Sequence, residues 1–561
     1  MGNATNTVIP APFVFSPSQA WDGNDGSWST FIIRVGTPEQ DFRVLISTAG
    51  QETWVPVPEG CIASDPSNCG SLRGVYPFNG AQSSGFQYNQ SSTWKLIGLY
   101  DLILENQLNY TGNGLYGLDN VGLELQNSGG LNLTGQVVAG IATKDFYLGI
   151  FGIGPKPSNF SNFQYPQPSF MHTLKDENKI PSLSYGYTAG ASYRIPKLPG
   201  SLTLGGYDES RFKSSQVSFQ FALDDSKTLS MGIQMITATN TLQGSINIMS
   251  AEILSFIDST VPHIWLPQTV CDRFEQAFGL TYDPTTDLYL VNNTIHNQLL
   301  DLNPTVTFAL GNTGDPANTV NIALPYGAFD LQATYPIYAN LTNYFPIRRA
   351  ANDTQYTLGR TFLQEAYIIA DYERSNFSVN QAIFQSPMPQ EQIIAISPLQ
   401  TVSNTTPNNT TVHSGVHHDL AAGAIAGTSI GAIIFIILLV AFGILFFYRR
   451  RRGIQNVHAQ AELGAGGEKP PVYAGGELMS EERHEMQSGP IYYEVGAGKT
   501  QGLHLMSDDA RAQVHELVGD GGLRHEAPGV DVQRIEVPRI ALTENTPVAA
   551  DGSRNFPPLG I

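Results

Sequence analysis

Short alternations of apolar and polar residues, separated by Gly, Asn, Asp and Ser, run from about Pro17 to Pro387. Segments such as RVGTPEQDFRVLIS and GSLTLGGYDESRF are rich in β-branched and aromatic residues, and this pattern predicts short strands. Helical periodicity is scarce. It predicts a helix over Cys271–Gly279, which ends on glycine, and a helical turn over Phe170–Lys175. A β-rich stretch of about 370 residues favours two lobes of similar size over a single core.

One frame of thirteen residues occurs twice, as VLISTAGQETWVP (Val44–Pro56) and as SFIDSTVPHIWLP (Ser255–Pro267). In both copies an apolar run leads to three residues that we call the pivot, and a Trp follows seven residues after the first pivot residue. The first pivot is Ser47–Ala49 and the second pivot is Asp258–Thr260. Self-similarity at fixed offsets indicates an internal duplication. The second pivot carries a carboxylate at the shared position and the first does not.

A glycine closes an apolar segment at a similar distance after each pivot. Gly152 lies 105 residues after Ser47 in LGIFGIG, and Gly359 lies 101 residues after Asp258 in YTLGRTF. The sequence therefore predicts, in each lobe, a pivot strand and a partner strand that ends in glycine.

The region around residues 420–448 is suited to crossing a membrane. Residues 421–448 carry no charge, and 28 residues are long enough to span a hydrocarbon core of about 30 Å. Four arginines follow at 449–452, which predicts that the C-terminal tail is cytoplasmic. The Asn-X-Ser/Thr pattern of N-glycosylation occurs before this segment and not after it. It begins at Asn3, Asn89, Asn109, Asn132, Asn159, Asn292, Asn340, Asn352, Asn376, Asn404, Asn408 and Asn409.

These patterns divide the chain into six parts. They are an N-terminal segment (1–16), an N-terminal β lobe (17–190), a C-terminal β lobe (191–391), a glycosylated Ser/Thr/Asn-rich stalk (392–419), a transmembrane helix (420–448) and a disordered cytoplasmic tail (449–561). The beginning of the chain has no basic region followed by an apolar stretch, so no secretory signal is visible. Because the lobes require export, we expect the original N-terminus to be missing. The expected location is the plasma membrane, the vacuole or the secretory pathway.

Charge and cysteine content agree with an extracytoplasmic domain. The net charge of −19 excludes nucleic acid as a natural partner. Cys61 and Cys69 are close enough to close a short loop, and we expect them to form a disulfide in an oxidising compartment. Cys271 has no evident partner and reads as a buried apolar thiol.

Residues from about 29 to 385 resemble the pepsin family of aspartic peptidases, and specifically its membrane-tethered fungal members. The resemblance rests on the two pivot frames, the glycine-closed segments, GSLTLGGYD (Gly200–Asp208) and LGRTFLQEAYIIADYERSNFSV (Leu358–Val379). It implies a mostly β, bilobed fold with a cleft between the lobes, and it implies no cofactor and no metal.

The family's chemistry requires two carboxylates in contact, one from each lobe, that share one proton. The resemblance assigns the second-lobe carboxylate to Asp258, whereas the first-lobe position is Ser47. A hydroxyl cannot hold negative charge at acidic or neutral pH. Ala49 and Thr260 also replace the glycines of the family pattern, where a side chain would crowd the approach of backbone amides.

Two hydroxyl residues of the pattern are retained. The family counterparts of Thr48 and Ser259 cross-link the pivots beneath the carboxylates. The resemblance also implies a hairpin flap over the cleft, for which NYTGNGLYG (Asn109–Gly117) is the match, with Tyr110 rather than Tyr116 as the residue that contacts substrate. Framework is thus kept while the reactive groups are altered.

A substitute for the missing carboxylate would need to lie near the cleft. Glu52 lies five residues after Ser47, and His263 lies five residues after Asp258. We interpret both as solvated loop residues and not as substitutes, because a small displacement of a catalytic group already impairs catalysis. No His or Lys lies near Ser47 in sequence to activate it as a nucleophile.

The sequence therefore favours a membrane-anchored pseudopeptidase that binds a peptide or protein in its interlobe cleft. The alternatives are an active aspartic endopeptidase built on Asp258 with a non-standard partner, and a glycosylated structural module. In the tail, the PPVY sequence (Pro470, Pro471 and Tyr473) fits the motif that WW domains bind.

Overall fold

The structure is a computed structural model that describes residues 9–160 and 164–399. Most of the stalk, the membrane segment predicted at 420–448 and the PPVY motif lie outside these residues. Within the described ranges, no helix is long and apolar enough to cross a membrane. The described part is mostly β and consists of two lobes, as the sequence predicts, and a further sheet joins them.

The first lobe is built on an eight-stranded sheet. In spatial order its strands are Pro17–Asp22, Trp28–Val35, Gln40–Ser47, Gly149–Gly152, Thr53–Pro56, Asn132–Ile141, Asn113–Leu123 and Lys95–Asp101. Trp28–Val35 is buried throughout and Gln40–Ser47 along most of its length, although both strands also contain polar residues. The last two strands form a hairpin, and we call residues 102–112, which connect them, the hairpin loop.

The second lobe repeats this arrangement in another eight-stranded sheet. Seven of its strands follow in spatial order as Thr319–Pro325, Thr305–Gly311, Ser230–Thr241, Ile253–Ile257, Thr357–Leu358, Ile264–Pro267 and Ile347–Ala350. The eighth, Gly244–Met249, pairs with Ser230–Thr241 off this path. A smaller sheet of Thr281–Asp283, Leu288–Leu290, Thr342–Phe345 and Leu331–Ala333 belongs to the same lobe.

Strand pairing confirms the internal duplication. In the first lobe the pivot strand runs parallel to the glycine-closed strand, with Ser47 opposite Gly152. In the second lobe the pivot strand Ile253–Ile257 runs parallel to Thr357–Leu358, directly before Gly359. In each lobe the strand that carries the frame's Trp pairs antiparallel with the glycine-closed strand.

A seven-stranded sheet joins the two lobes. Its path is Phe13–Phe15, Leu198–Leu204, Ser184–Ala191, Ala366–Asp371, Asn376–Ala382 and Phe212–Lys213, with Phe219–Gln220 paired to Asn376–Ala382. The lobe boundary expected at 190–191 therefore falls inside a strand of the joining sheet. Segments from both ends of the β-rich region meet there, which no local pattern indicates. A two-stranded sheet of Gly206–Asp208 and Ile393–Ala395 completes the β structure.

Within the described residues helices are few and short, as expected for this part of the chain. The α-helices are Cys69–Leu72, Phe170–Asp176, Gln268–Phe278, Asn293–Leu302 and Arg360–Leu363. Short 3-10 turns occur at Pro58–Gly60, Tyr88–Gln90, Asn106–Leu108, Glu209–Arg211, Asp225–Lys227, Tyr326–Ala328 and Asp353–Gln355. The helix that contains Cys271 ends at Gly279 with a left-handed φ of 65°, the conformation for which glycine is favoured. Cys61 and Cys69 form the predicted disulfide, and Cys271 is buried and unpaired.

Candidate active site in the interlobe cleft

Asp258 lies at the end of the second pivot strand, fully buried between the lobes. Its backbone N–H donates to Leu358 O at 3.1 Å, which fixes the pivot against the glycine-closed strand. The Thr260 N–H donates to Asp258 Oδ1 at 2.8 Å. Burial raises the pKa of Asp258, and hydrogen bonds from Glu105 and Thr260 act in the opposite direction.

Ser47 occupies the corresponding position of the first lobe and is also fully buried. Its hydroxyl lies 2.7 Å from Thr260 Oγ1 and accepts a hydrogen bond from the Gly50 N–H at 2.7 Å. Two departures from the family pattern, Ser47 and Thr260, are therefore bonded to each other. The hydroxyl is engaged in holding the turn, and Thr260 stands between it and Asp258.

The two pivots are cross-linked by reciprocal hydrogen bonds. The Thr48 N–H donates to Ser259 Oγ at 2.9 Å, and the Ser259 N–H donates to Thr48 Oγ1 at 3.0 Å. Ser259 Oγ also donates to Ile46 O at 2.6 Å. The structure thus brings Thr48 and Ser259 together beneath the site, in the positioning role that the resemblance implies.

Arg360 supports the second pivot from behind. Its guanidinium donates to Ser259 O at 3.1 Å and to Thr260 O at 2.6 Å, and it lies over the Trp28 ring. The preceding residue, Gly359, has no room for a side chain, because a Cβ there would lie 2.3 Å from His263 O. This close approach explains why a glycine ends the partner strand.

The hairpin loop brings a second carboxyl group to Asp258. Glu105, which sequence analysis missed, has a left-handed φ of 61° and is 3% exposed. Its carboxyl group is close enough to that of Asp258 for each to shift the pKa of the other, and Gln107 Nε2 donates to Glu105 Oε2 at 2.7 Å. The sequence signal that could have revealed it is a single charge in an otherwise apolar run, Leu102-Ile103-Leu104-Glu105.

Glu105 and Asp258, which we call the carboxyl pair, cannot both be ionised in contact. Asp258 Oδ2 is buried and has no hydrogen-bond partner among the described residues, and a proton on the neighbouring Glu105 carboxyl group would supply one. Burial, followed by the charge of Asp258, raises the pKa of Glu105 well above its ordinary value. The arrangement has the proton-sharing chemistry of a carboxyl dyad, with a partner that comes from the hairpin loop instead of the first pivot.

The two substitutes considered from sequence are not solvated loop residues. Glu52 is half-buried and accepts hydrogen bonds from Trp54 Nε1, Tyr116 OH and Ser158 Oγ.

His263 is 3% exposed. Burial and the nearby charges of Arg348 and Arg360 hold its pKa well below the ordinary value. Both ring nitrogens lack a hydrogen-bond partner among the described residues. The interpretation as solvated loop residues is therefore wrong for both, since Glu52 is held by three donors and His263 is buried.

The expected flap segment is shifted along the chain. The hairpin strands are Lys95–Asp101 and Asn113–Leu123, so Asn109–Gly117 covers the end of the hairpin loop and the start of the second strand. Tyr110 packs on Phe146, with ring centroids 5.5 Å apart, and on the second-lobe Trp265. It therefore fills space between the lobes.

A cavity of about 560 Å³ opens beside Glu105, and we call it the wide cavity. Its walls include residues of both lobes, among them the aromatic side chains of Tyr100, Tyr116, Phe160 and Tyr372. Tyr110 does not line it, whereas Thr48 does. No group of three or more His, Cys, Asp or Glu side chains within 9–160 and 164–399 is placed to hold a metal ion.

Comparisons with known proteins agree with this architecture. The family model described as eukaryotic aspartyl protease matches residues 30–382. Candidapepsin-3 of Candida albicans (strain WO-1) is 25% identical over 362 residues, which cover 62% of this chain and 78% of the relative. The acid protease of Saccharomycopsis fibuligera is 21% identical over 365 residues, covering 64% and 82%.

Aspartic proteinase yapsin-3 of Saccharomyces cerevisiae is 21% identical over 409 residues, covering 69% of this chain and 72% of the relative. The family match over residues 30–382 contains both pivots, the hairpin loop and most strands of both lobe sheets. The duplicated pivot frames, the cross-linked pivots and this match lead to one conclusion: the chain belongs to the eukaryotic aspartyl protease family.

Proposed function

We propose that this protein is a membrane-anchored, glycosylated member of the family that binds peptide or protein segments in its interlobe cleft and does not hydrolyse them efficiently. The observation that carries the proposal is the bonding of Ser47. Its hydroxyl is committed to Thr260 and Gly50, so the first pivot supplies neither a base nor an acid. General acid or base catalysis by one group contributes about 10² to 10⁴ in rate, and dyad members act as a unit.

The framework around the site is retained, which supports a binding function rather than degeneration of the whole site. The pivot cross-link is intact, and the wide cavity retains aromatic walls suited to apolar side chains of a ligand. The uncharged segment at 420–448 and the arginines after it support a single-pass anchor with the lobes outside the cytoplasm. In that topology the PPVY motif offers a WW-domain partner a cytoplasmic site.

The carboxyl pair favours a second candidate, an active endopeptidase that uses Asp258 and Glu105. Hydrolysis requires a substrate carbonyl and a water between the acid groups. Glu105 and Asp258 are instead buried against each other, 3% and 0% exposed, and the loop that carries Glu105 occupies the space next to Asp258. We therefore place this candidate second.

Turnover and binding separate these functions. The full-length protein, its Ser47→Asp variant and its Asp258→Asn variant would be incubated with unfolded casein between pH 3 and pH 5, and new amino termini counted. We expect the wild type to match Asp258→Asn. Turnover that disappears in Asp258→Asn would establish the second candidate.

A labelled peptide with a hydroxyl group in place of the scissile amide tests the cleft itself. Saturable binding of this peptide to the wild type, without cleavage, supports the proposal. Absence of binding at every pH would favour a structural module whose cleft is unused.

A further inference from the structure

The hairpin loop lies between the lobes and contacts both of them. On the first-lobe side, Leu102 is buried in a cluster with Trp54 and Tyr116. On the second-lobe side, Leu108 is buried against Val261 and Trp265. A loop that packs on both walls of a cleft must move before another chain can occupy the same place.

Polar contacts add to this packing. Gln355 Nε2 of the second lobe donates to Gln107 O in the loop. Within the loop the Leu108 N–H donates to Glu105 O at 2.9 Å, and the Leu102 N–H donates to Gly112 O at 2.8 Å. These bonds give the loop one defined closed conformation.

The carboxyl pair lies at the centre of this contact. Glu105 reaches Asp258 from the loop, and each side chain is almost fully withdrawn from solvent. If Glu105 lost its proton, two negative charges would be in contact at a buried position, which is strongly unfavourable. Movement of the loop into solvent relieves that repulsion.

Few neighbouring groups could produce the same pH dependence in place of Glu105. Lys227 and Tyr110 act on Glu105, and Arg360 and Tyr185 act on Asp258. Burial raises the pKa of Tyr110 and of Tyr185, so both tyrosines stay neutral throughout the acid and neutral range.

The wall of the wide cavity carries four more charged groups, which are Glu52, Asp101, Lys156 and Asp225. Glu52 is held by three hydrogen-bond donors, and Lys156 lies 3.5 Å from Asp225. None of the four is hydrogen-bonded to Glu105 or Asp258.

The family resemblance already implies a flap over the cleft; we propose that here the hairpin loop acts as a lid that is held closed by one proton shared between Glu105 and Asp258 and is released when that proton is lost. The consequence for ligands rests on the proposed cleft-binding function. The lid itself is a property of the free protein and is tested without any ligand.

The lid also indicates what kind of ligand replaces it. Glu105 presents a proton donor to Asp258, and Leu104 and Leu108 on either side are packed against the first and second lobes. A competing segment must satisfy Asp258 in the same way. The ligand class is therefore an extended peptide with a hydroxyl or protonated carboxyl group between apolar side chains.

The sign of the pH dependence follows from proton binding. Glu105 has a raised pKa in the closed state and an ordinary one, about 4.3, when exposed. The closed state thus binds more protons above about pH 4.3, so opening becomes more favourable as pH rises. The equilibrium constant for opening increases up to about tenfold per pH unit until the closed-state pKa of Glu105 is passed.

Hydrogen–deuterium exchange of the full-length protein measures this directly. Exchange of the loop amides, including those of Leu102 and Leu108, would be followed from pH 4 to pH 8 and corrected for intrinsic rates. In the wild type we expect protection to fall up to about tenfold per pH unit. Amides of the buried strand Trp28–Val35 serve as an internal reference, because their exchange does not depend on opening of the hairpin loop.

Two substitutions at one position make opposite predictions. Glu105→Gln keeps the shape and a donor to Asp258 at every pH, so protection stays high and its pH slope disappears. Glu105→Ala removes the donor, so protection at pH 4 falls by about tenfold to a hundredfold. Asp101→Asn, an exposed carboxylate on the same hairpin, is the control and should retain the wild-type slope.

Retention of the wild-type slope in Glu105→Gln would overturn the proposal. So would protection in Glu105→Ala at pH 4 that equals the wild type. Casein turnover by the wild type would refute the proposed function and leave this exchange result unchanged, so the two failures are distinguishable.

Discussion

The hydrogen bonds that cross-link the two pivots should contribute measurably to the unfolding free energy of the protein. Ser259→Ala removes the acceptor of the Thr48 N–H and the donor to Ile46 O. Thr48→Val removes only the acceptor of the Ser259 N–H and keeps the side-chain volume. The two substitutions differ in the number of hydrogen bonds lost, which allows their effects to be ranked.

The magnitude follows from the burial of these groups. Both Ser259 and Thr48 are at most 4% exposed, so water cannot reach a backbone N–H that loses its partner. An unsatisfied buried group costs about 1–3 kcal/mol, and a lost hydrogen bond about 1 kcal/mol. We expect a loss in unfolding free energy of about 1–3 kcal/mol for Thr48→Val and about 2–4 kcal/mol for Ser259→Ala.

Ser255 provides a matched control in the same lobe. It is 2% exposed, and its hydroxyl has no hydrogen-bond partner among the described residues. Ser255→Ala should therefore change the unfolding free energy by less than about 0.5 kcal/mol, or stabilise the protein slightly.

Urea titration followed by tryptophan fluorescence gives the assay, with the midpoint and slope determined for each variant. A Ser259→Ala variant as stable as Ser255→Ala would refute the reasoning, because it would show that the reciprocal hydrogen bonds contribute nothing beyond serine burial. A larger loss for Thr48→Val than for Ser259→Ala would contradict the ranking.

Three further predictions concern stability. Replacing Cys61 and Cys69 by Ser opens a loop with a sequence separation of 8 and should cost about 2–3 kcal/mol in urea titrations; equal midpoints for variant and oxidised wild type would contradict this. Gly359→Ala places a Cβ 2.3 Å from His263 O and should cost about 1–3 kcal/mol or more, measured by thermal unfolding; an unchanged melting temperature would refute the close approach. Because Glu105 has a raised pKa in the folded state, its stabilising effect is complete below about pH 4.3 and is lost as pH rises through the raised value. The unfolding free energy should therefore fall by up to about 1.4 kcal/mol per pH unit in the wild type and not in Glu105→Gln.

The repeated frames made much of the architecture predictable. Ser47 and Asp258 lie at matching offsets from a Trp and a glycine, so both the duplication and the paired strands could be inferred from local sequence. The cross-link through Thr48 and Ser259 was implied by the family resemblance. These features depend on short segments whose geometry is fixed by their own strands.

Glu105 could not be identified in the same way. It lies 153 residues before Asp258, in a loop with no motif, and meets Asp258 only because the two lobes close on each other. The joining sheet was missed for a related reason. Its strands Phe13–Phe15, Ser184–Ala191 and Asn376–Ala382 come from distant parts of the chain, and their pairing is decided by tertiary packing.

Tyr110 shows a third limit of sequence reasoning, and its contact with substrate stays a prediction. The resemblance located the flap by its glycines and a tyrosine, but the hairpin loop here is long enough for Tyr110 to turn inward onto Phe146 and Trp265. Loop conformation depends on the surfaces available for packing, and these are not visible in the spacing of Gly and Tyr.

The loss of the first-lobe carboxylate is tested most directly by acid turnover of unfolded casein with the full-length protein. We predict that the wild type releases no more amino termini than Asp258→Asn does. Hydrolysis by the wild type that Asp258→Asn abolishes would contradict it.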